Sequence, residues 1–380
     1  MIHKPVTLPA PPNGEPAVFV GIWFTNACNL NCSYCYIKKK SDLTISIDRA
    51  MDILGTELLK EGKLMDILFM GAETLTHFDQ MREIVEKISA GQWKRRYHFT
   101  ITTNGTLLTE DMKRWFTAHQ DTVTMGLSYD GEDEAQDRNR SGSSPKIDKE
   151  YFRRTWPEQR WKMTISADTA ANTDKNVIAL HELGVPFSAN VAYEDTCWPE
   201  EAIAQYQLAL YRLADYYIAH PEIRPCSLLS LLEDVLEAPE TVRQERYCGA
   251  GESLCFFDME GTAYPCHMVS PLVMSRADSL EGMYFAADVD FEDPRCRTCP
   301  VKHTCYTCLG TNYLYRGDVR LRDPLHCRLY QAEIRATAHM WIGKLRGKTA
   351  FTQTEKNMIR TVRALTEAFR NGAIGMNGTP

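Results

Sequence analysis

Eleven of the 13 cysteines in this 380-residue chain fall into two crowded groups, and thiols are the side chains best suited to hold soft metal centres. Cys28, Cys32 and Cys35 lie close together. None follows until Cys197 and Cys226, after which Cys248, Cys255, Cys266, Cys296, Cys299, Cys305, Cys308 and Cys327 crowd together. So many thiols in an exported protein would suggest disulfides. Met1 to Pro16 is rich in proline and has no apolar run, so it is no secretory signal. The chain is therefore expected to be cytoplasmic, where thiols stay reduced, and the cysteines to bind metal. The spacing of Cys28, Cys32 and Cys35 lets one loop wrap one metal centre. Three thiolates leave one corner of a cubane iron–sulfur cluster open, and a small molecule can bind iron there. A zinc loop short of its fourth ligand, or coincidental buried cysteines, would fit the same spacing. Cys296-x2-Cys299-x5-Cys305-x2-Cys308 reads by itself as a zinc site of four thiolates. Cys197 and Cys226 read as ordinary thiols.

The elements that must position these groups follow from composition and periodicity. With 44% hydrophobic and 24% charged residues the chain is an ordinary globular protein, long enough to bury a core. A net charge of −7 argues against a dedicated nucleic-acid binder. No run approaches the ~18 apolar residues of a spanning helix, so no membrane is expected. Strands are expected at 17–24, 66–70, 97–103, 123–128, 163–167 and 186–191. Helices fit at 47–59, after 77, and at 109–118, 148–156 and 172–183, the last ended by Gly184. This βα alternation predicts an α/β fold with a parallel sheet, either open or curled into a partial (β/α)6 barrel. Beyond a helix near 199–219, residues 248–327 carry few periodic runs and many Cys, Gly, Pro and Asp, a thin core that a metal would hold together. Residues 328–371 are helical again, before a loose tail.

The first cysteine motif, with an aromatic residue before its third cysteine, resembles that of the radical S-adenosylmethionine (SAM) superfamily. Gly71-Ala72-Glu73-Thr74 stands where that family has Gly-Gly-Glu-Pro, with Ala72 and Thr74 departing from it. Thr102-Thr103-Asn104-Gly105-Thr106-Leu107-Leu108 matches the family's turn after the third strand. Ser128-Tyr129-Asp130-Gly131 and Asp137-Arg138-Asn139-Arg140 match its S-x-D-G and D-x-x-R. The resemblance implies that Cys28, Cys32 and Cys35 ligate a 4Fe–4S cluster whose fourth iron binds SAM. It implies that Glu73 accepts a hydrogen bond from the SAM amino group and that Tyr34 lies near the adenine. Ser128, Asp130 and Arg140 are candidates for the ribose or carboxylate, or else simply form turns.

The later cysteines resemble the SPASM domain of radical SAM peptide maturases, with two residues rather than three between Cys305 and Cys308. That resemblance implies two auxiliary 4Fe–4S clusters, one on Cys248, Cys255, Cys266 and Cys308, the other on Cys296, Cys299, Cys305 and Cys327. Full ligation suits both to carrying electrons, so an oxidative outcome is expected. The implied organisation is an extension at 1–16, a radical SAM partial barrel at 17–220, a SPASM domain at 221–330 and a helical segment at 331–380. The implied reaction is a thioether or carbon–carbon cross-link in a ribosomally made peptide, fed by a reductant such as flavodoxin or ferredoxin. Formylglycine formation in a sulfatase is the alternative, and a non-catalytic zinc protein explains less. His267 stands where the sulfatase-maturing relatives carry an aspartate, and is a candidate base or a hydrogen-bonding neighbour of the cluster. The stretch before the first strand is too short for a leader-gripping domain, so recognition calls for a separate leader-peptide-binding protein or a surface of the main domains.

Overall fold

Strand β1 (Phe19–Thr25) is buried along all but its first residue, as expected of a parallel strand covered on both faces. In the computed structural model, which describes residues 17–62, 64–192, 197–230, 248–251, 253–270, 273, 291–302 and 304–376, β1 lies inside a six-stranded sheet. The N-terminal extension 1–16 and parts of 221–330 are outside the described residues. Strand β2 (Leu64–Gly71) pairs in parallel with β1, β3 (Arg96–Thr103) with β2, and β4 (Val123–Leu127) with β3. The sheet then continues past β1 to a strand from the cysteine-rich segment. Leu254–Phe257 forms β7, parallel to β1, and Ala263–Tyr264 forms β8, antiparallel to β7. Gly21 faces Phe256 in the register, and a Cβ on Gly21 would stand 2.8 Å from the Phe256 ring. Its missing side chain is what lets that ring pack, edge-on to Trp23 at 5.8 Å.

The α/β class and the βα alternation stand. Four of the six anticipated strands share this sheet, while β5 (Trp161–Ile165) and β6 (Phe187–Val191) pair with each other in a separate one. The helices are α1 (Ile47–Leu58), α2 (Phe78–Ala90), α3 (Glu110–Ala118), α4 (Asp133–Asn139), α5 (Lys149–Thr155), α6 (Thr173–Glu182) and α7 (Glu200–Ala219). Ser46 caps α1 by accepting from the Arg49 N–H at 3.2 Å. Phe78, Met81, Ile84, Val85 and Ile88 form the buried face of α2, the stripe their spacing predicts. Gly184 follows α6 with φ +66°, a left-handed conformation that favours glycine.

Two compact units divide the chain, and they do not follow chain order. One holds residues up to Ser128, 143–161 and 245–289, and contains the six-stranded sheet. The other holds 129–142, 162–244 and 290–380. In the second, α7 packs along α9 (Pro324–Leu345), and α8 (Leu309–Arg316) and α10 (Gln353–Arg370) complete the helical part. Cys226 is buried here, its N–H donating to the Tyr217 hydroxyl at 3.0 Å, while Cys197 is exposed.

Between α7 and α9, the Tyr206 hydroxyl donates to Glu333 at 2.8 Å, and both residues are buried. Burial pushes the Glu333 carboxyl up to about 7 from the ordinary 4.5. Unfolded, Glu333 loses its proton near 4.5; folded, it keeps it to about 7, so stability falls as pH rises through that window. The loss above the window is roughly 3 kcal/mol. Glu333→Gln keeps an acceptor for Tyr206 and removes the titration. Denaturant unfolding should therefore find the variant more stable than the parent at pH 8, with a flatter profile between pH 5 and 8. An unchanged profile would show that Glu333 does not set this dependence.

Candidate functional site

The loops after β1, β2 and β3 meet through hydrogen bonds centred on Glu73. The chain leaves β1 at Thr25, whose hydroxyl donates to the Leu43 carbonyl at 3.0 Å. Trp23 Nε1 donates to Asn26 Oδ1 at 2.6 Å, which fixes the start of the cysteine loop. The loop is then tied to the end of β2. Ala72 N donates to the Thr25 carbonyl at 2.9 Å and Glu73 N to the Ala27 carbonyl at 2.8 Å. Gly71 allows this approach, because at φ +123° a Cβ would lie 2.2 Å from the Thr25 carbonyl oxygen. Alanine is accepted at position 72, where the contact to Thr25 is made by backbone atoms.

Glu73 is 1% exposed. Its Oε1 accepts from Leu75 N at 3.1 Å and from the Thr103 hydroxyl at 2.8 Å, and its Oε2 accepts from Asn104 N at 2.7 Å. Burial raises its pKa, while the three donors, Asn104 N first, oppose the rise. The turn after β3 also reaches the cysteine loop. Asn104 Nδ2 donates to Asn29 Oδ1 at 3.0 Å, and Asn29 Nδ2 donates to the Thr106 hydroxyl at 2.8 Å. Asn29 thus joins two motifs, a role its position between Cys28 and Cys32 did not reveal.

Within the loop, Leu30 N donates to Cys28 Sγ at 3.4 Å and Cys35 N to the Cys32 carbonyl at 3.2 Å. Burial raises the Cys28 thiol, against the pull of the Leu30 N–H. All three thiols are half-buried, as is Tyr34. Ser128 follows β4, its N–H donating to the Thr103 carbonyl at 2.9 Å beside this group. Asp130 and Arg140 belong to the other unit and engage each other, with Arg140 Nη2 donating to Asp130 Oδ1 at 3.0 Å. Asp130 Oδ1 also accepts from Thr164 N at 2.9 Å, and its Oδ2 accepts from Asn139 at 3.0 Å. Their contacts are those of a structural knot linking α4 to β5.

The later cysteines divide between the units. Cys255 lies on β7, where burial, reinforced by Glu57, pushes its thiol up to about 12. Cys266 is buried and Cys248 exposed in the same unit. His267 packs between aromatic rings, with Tyr36, next to Cys35, at 5.6 Å and Phe256 at 5.9 Å between centroids. Cys308 belongs to the second unit and precedes α8.

Cys296, Cys299, Cys305 and Cys327 line one cavity in that unit, with Lys302, Arg322, His326 and Gln331. Cys296 and Cys299 also pack into an apolar cluster with Val301, Tyr330, Ile334, Met358 and Val362, so α9 and α10 supply the core this segment lacks by itself. Burial pushes Cys296 up to about 11 and Cys305 up to about 12. Burial, aided by Arg322, lowers His326 to about 4. Gln331 Nε2 approaches Cys327 Sγ at 3.5 Å. Neither Arg322 nor His326 belongs to a spacing motif, so no sequence signal pointed to them.

The donor sets fit iron–sulfur clusters. None of the 13 cysteines is in a disulfide, and three lie on one tethered loop and four around one cavity with a guanidinium beside them. Among the described residues, no three His, Cys, Asp or Glu gather tightly enough to hold a single metal ion. A cubane spreads its thiolates over four irons and needs a wider arrangement than a lone ion does. Nor, among these residues, is any helix long and apolar enough to cross a membrane.

Comparison with known proteins agrees with this geometry. The fold is similar to that of anSMEcpe with bound AdoMet and the Kp18Cys peptide, with a TM-score of 0.63 at 15% identity, over 92% of this chain and 100% of that one. It is also similar to Streptococcus suis SuiB bound to precursor peptide SuiA, with a TM-score of 0.54 at 17% identity, over 81% of this chain and 75% of that one. A curated relative, the cysteine-type anaerobic sulfatase-maturating enzyme of Clostridium perfringens, is 24% identical over 64% of this chain and 72% of its own length. Of two other curated relatives the chain spans only 36% and 51%. Residues 22–188 match the family model of the radical SAM superfamily, so this part of the chain carries a radical SAM domain. A radical SAM domain implies a 4Fe–4S cluster and SAM.

Proposed function

We propose that this chain is a peptide maturase that oxidatively cross-links a ribosomally made peptide through a thioether or carbon–carbon bond. The observation that carries the reading is the convergence of the Cys28–Cys35 loop, Glu73 and the Asn104 turn at the carboxyl ends of β1, β2 and β3, where parallel sheets bind their ligands. Cys28, Cys32 and Cys35 would hold the catalytic cluster, and Glu73 would accept from the SAM amino group. Tyr34 and Ser128 would border the nucleoside. Cys296, Cys299, Cys305 and Cys327 would hold an auxiliary cluster, and Cys248, Cys255 and Cys266 would contribute to another. When bound and reduced, SAM and its cluster supply a 5′-deoxyadenosyl radical that takes a hydrogen atom from the substrate. The Glu73 tethers fix the loop's position and keep water from the carboxylate. Closing the cross-link would remove a second hydrogen, its proton passing to a base and its electron to the auxiliary clusters. His267, against Tyr36 of the cysteine loop, is the base we assign to that proton, and a flavodoxin or ferredoxin would supply the reducing electron.

A second reading, formylglycine formation, is favoured by the sulfatase-maturating relative. Mass spectrometry of candidate peptides, incubated anaerobically with the reconstituted protein, SAM and dithionite, separates the two. A cross-link appears as the loss of two hydrogens with fragment ions missing between the joined residues. Formylglycine appears as an aldehyde that reacts with a hydrazide probe and would replace the first reading. Unmodified peptides, from protein that makes 5′-deoxyadenosine only in their absence, would sink both.

A further inference from the structure

The cavity of the C-terminal quartet carries a cation that the cluster assignment does not use. Arg322 lines it beside Cys296, Cys299, Cys305 and Cys327, and its placement is over-determined. Its backbone N–H donates to Asp293 Oδ2 at 2.8 Å, its carbonyl accepts from Arg295 Nη2 at 2.7 Å, and its own Nη1 donates to the Cys305 carbonyl at 2.8 Å. Two other cations nearby among the described residues are neutralised. Arg295 pairs with fully buried Asp293 at 2.6 Å, and Lys302 pairs with Glu292 at 3.0 Å. Among the described residues the Arg322 guanidinium has no carboxylate partner, and its Nε is buried without a hydrogen-bond acceptor. A buried N–H left without an acceptor in a cavity ringed by thiols calls for an anionic sulfur group to accept from it.

Resting on the reading that these four cysteines hold a 4Fe–4S cluster, we propose that Arg322 is the residue that sets the reduction potential of that cluster. Adding one electron to a cluster bound by four thiolates adds a negative charge to an assembly that is already anionic. A fixed, unpaired guanidinium beside it favours the reduced state, and an N–H donated to sulfur acts in the same direction. Arginine holds its charge at every working pH, so the bias does not switch. Arg322 does not touch the substrate; it is a positioning residue that acts through the cluster.

The test is an EPR-monitored redox titration of the full-length protein, reconstituted with iron and sulfide. Cys28, Cys32 and Cys35 are replaced by alanine to leave only the auxiliary signals. The signal lost on adding Cys299→Ala belongs to the quartet, and if that change removes neither a signal nor iron, the cluster reading itself fails. If the signal is lost, Arg322→Gln and Arg322→Met should each move its midpoint to more negative potential. We expect about a tenfold change in the oxidised-to-reduced ratio at fixed potential, equivalent to about 59 mV for one electron. Arg322→Lys should stay near the parent, and any other auxiliary signal should not move. Two neutral variants of different shape are used so that one can be read if the other does not load. A neutral variant that loads fully at the parental midpoint overturns the proposal. So does a lysine variant shifted as far as the neutral ones, or a failure of both neutral variants to load, which would make Arg322 an assembly residue instead.

Discussion

Cys32→Ala is expected to abolish reductive cleavage of SAM to 5′-deoxyadenosine while leaving the auxiliary clusters in place. A site-differentiated cubane is held by three thiolates, and two cannot keep it with an open iron. The loop should survive the change. Its tethers run through Asn26, Asn29, the Ala27 carbonyl and the Cys32 carbonyl, all of which alanine preserves. The C-terminal quartet belongs to the other compact unit and does not depend on this loop for its core. Chromatography of 5′-deoxyadenosine with iron and labile-sulfide analysis reads both halves of the expectation. The variant should fall to background product and lose one cluster's worth of iron. Product at the parental rate would remove Cys32 from the ligand set.

The largest expected effect on stability lies at Asp130. It is 1% exposed, and its oxygens accept from Arg140, Thr164 N and Asn139, while Ser166 Oγ extends the network to Asn139 Oδ1 at 2.7 Å. Removing one partner of a buried ion pair leaves the other charge uncompensated and costs about 3–5 kcal/mol. Asp130→Ala should therefore lower the unfolding free energy read by urea denaturation by that order. Asp130→Asn, which keeps the shape and two acceptor contacts, should cost less. A loss below about 1 kcal/mol would mean that the network relaxes around the deletion.

The two motifs near Asp130 show what a sequence can carry. Ser128-Tyr129-Asp130-Gly131 and Asp137 to Arg140 were legible as motifs but not as a hydrogen-bonded pair, because pairing is a tertiary fact. Helix α4 itself was missed: its seven residues, DEAQDRN, have no apolar period to read. Strands β1 to β4 were legible from closely spaced apolar residues, buried continuously in β1 and at alternate positions in β2 and β3. That β5 and β6 would leave the common sheet was not, since periodicity reports burial and not partners. Glu73 was found through its family position, and the structure adds that Leu75, Thr103 and Asn104 hold it. The quartet could be counted in the sequence, and in the structure Cys327 lines one cavity with Cys296, Cys299 and Cys305. Arg322 and His326 had no signal beyond being near Cys327 in the chain.

The pairing of β7 with β1 also bears on how the protein is made. Phe19 meets Leu254 in register, so one edge of β1 waits for a partner synthesised more than two hundred residues later. Such non-local pairing is slow, because a long loop must close before any contact rewards it. Until then the growing chain presents β1, buried along nearly its whole length in the finished sheet, as an open edge able to pair with other chains. A fragment ending near residue 230 would keep β1 to β4 yet remain unprotected on that side. The cysteine-rich segment thus acts as the seal on the nascent sheet, and expression of the front half alone should favour aggregation.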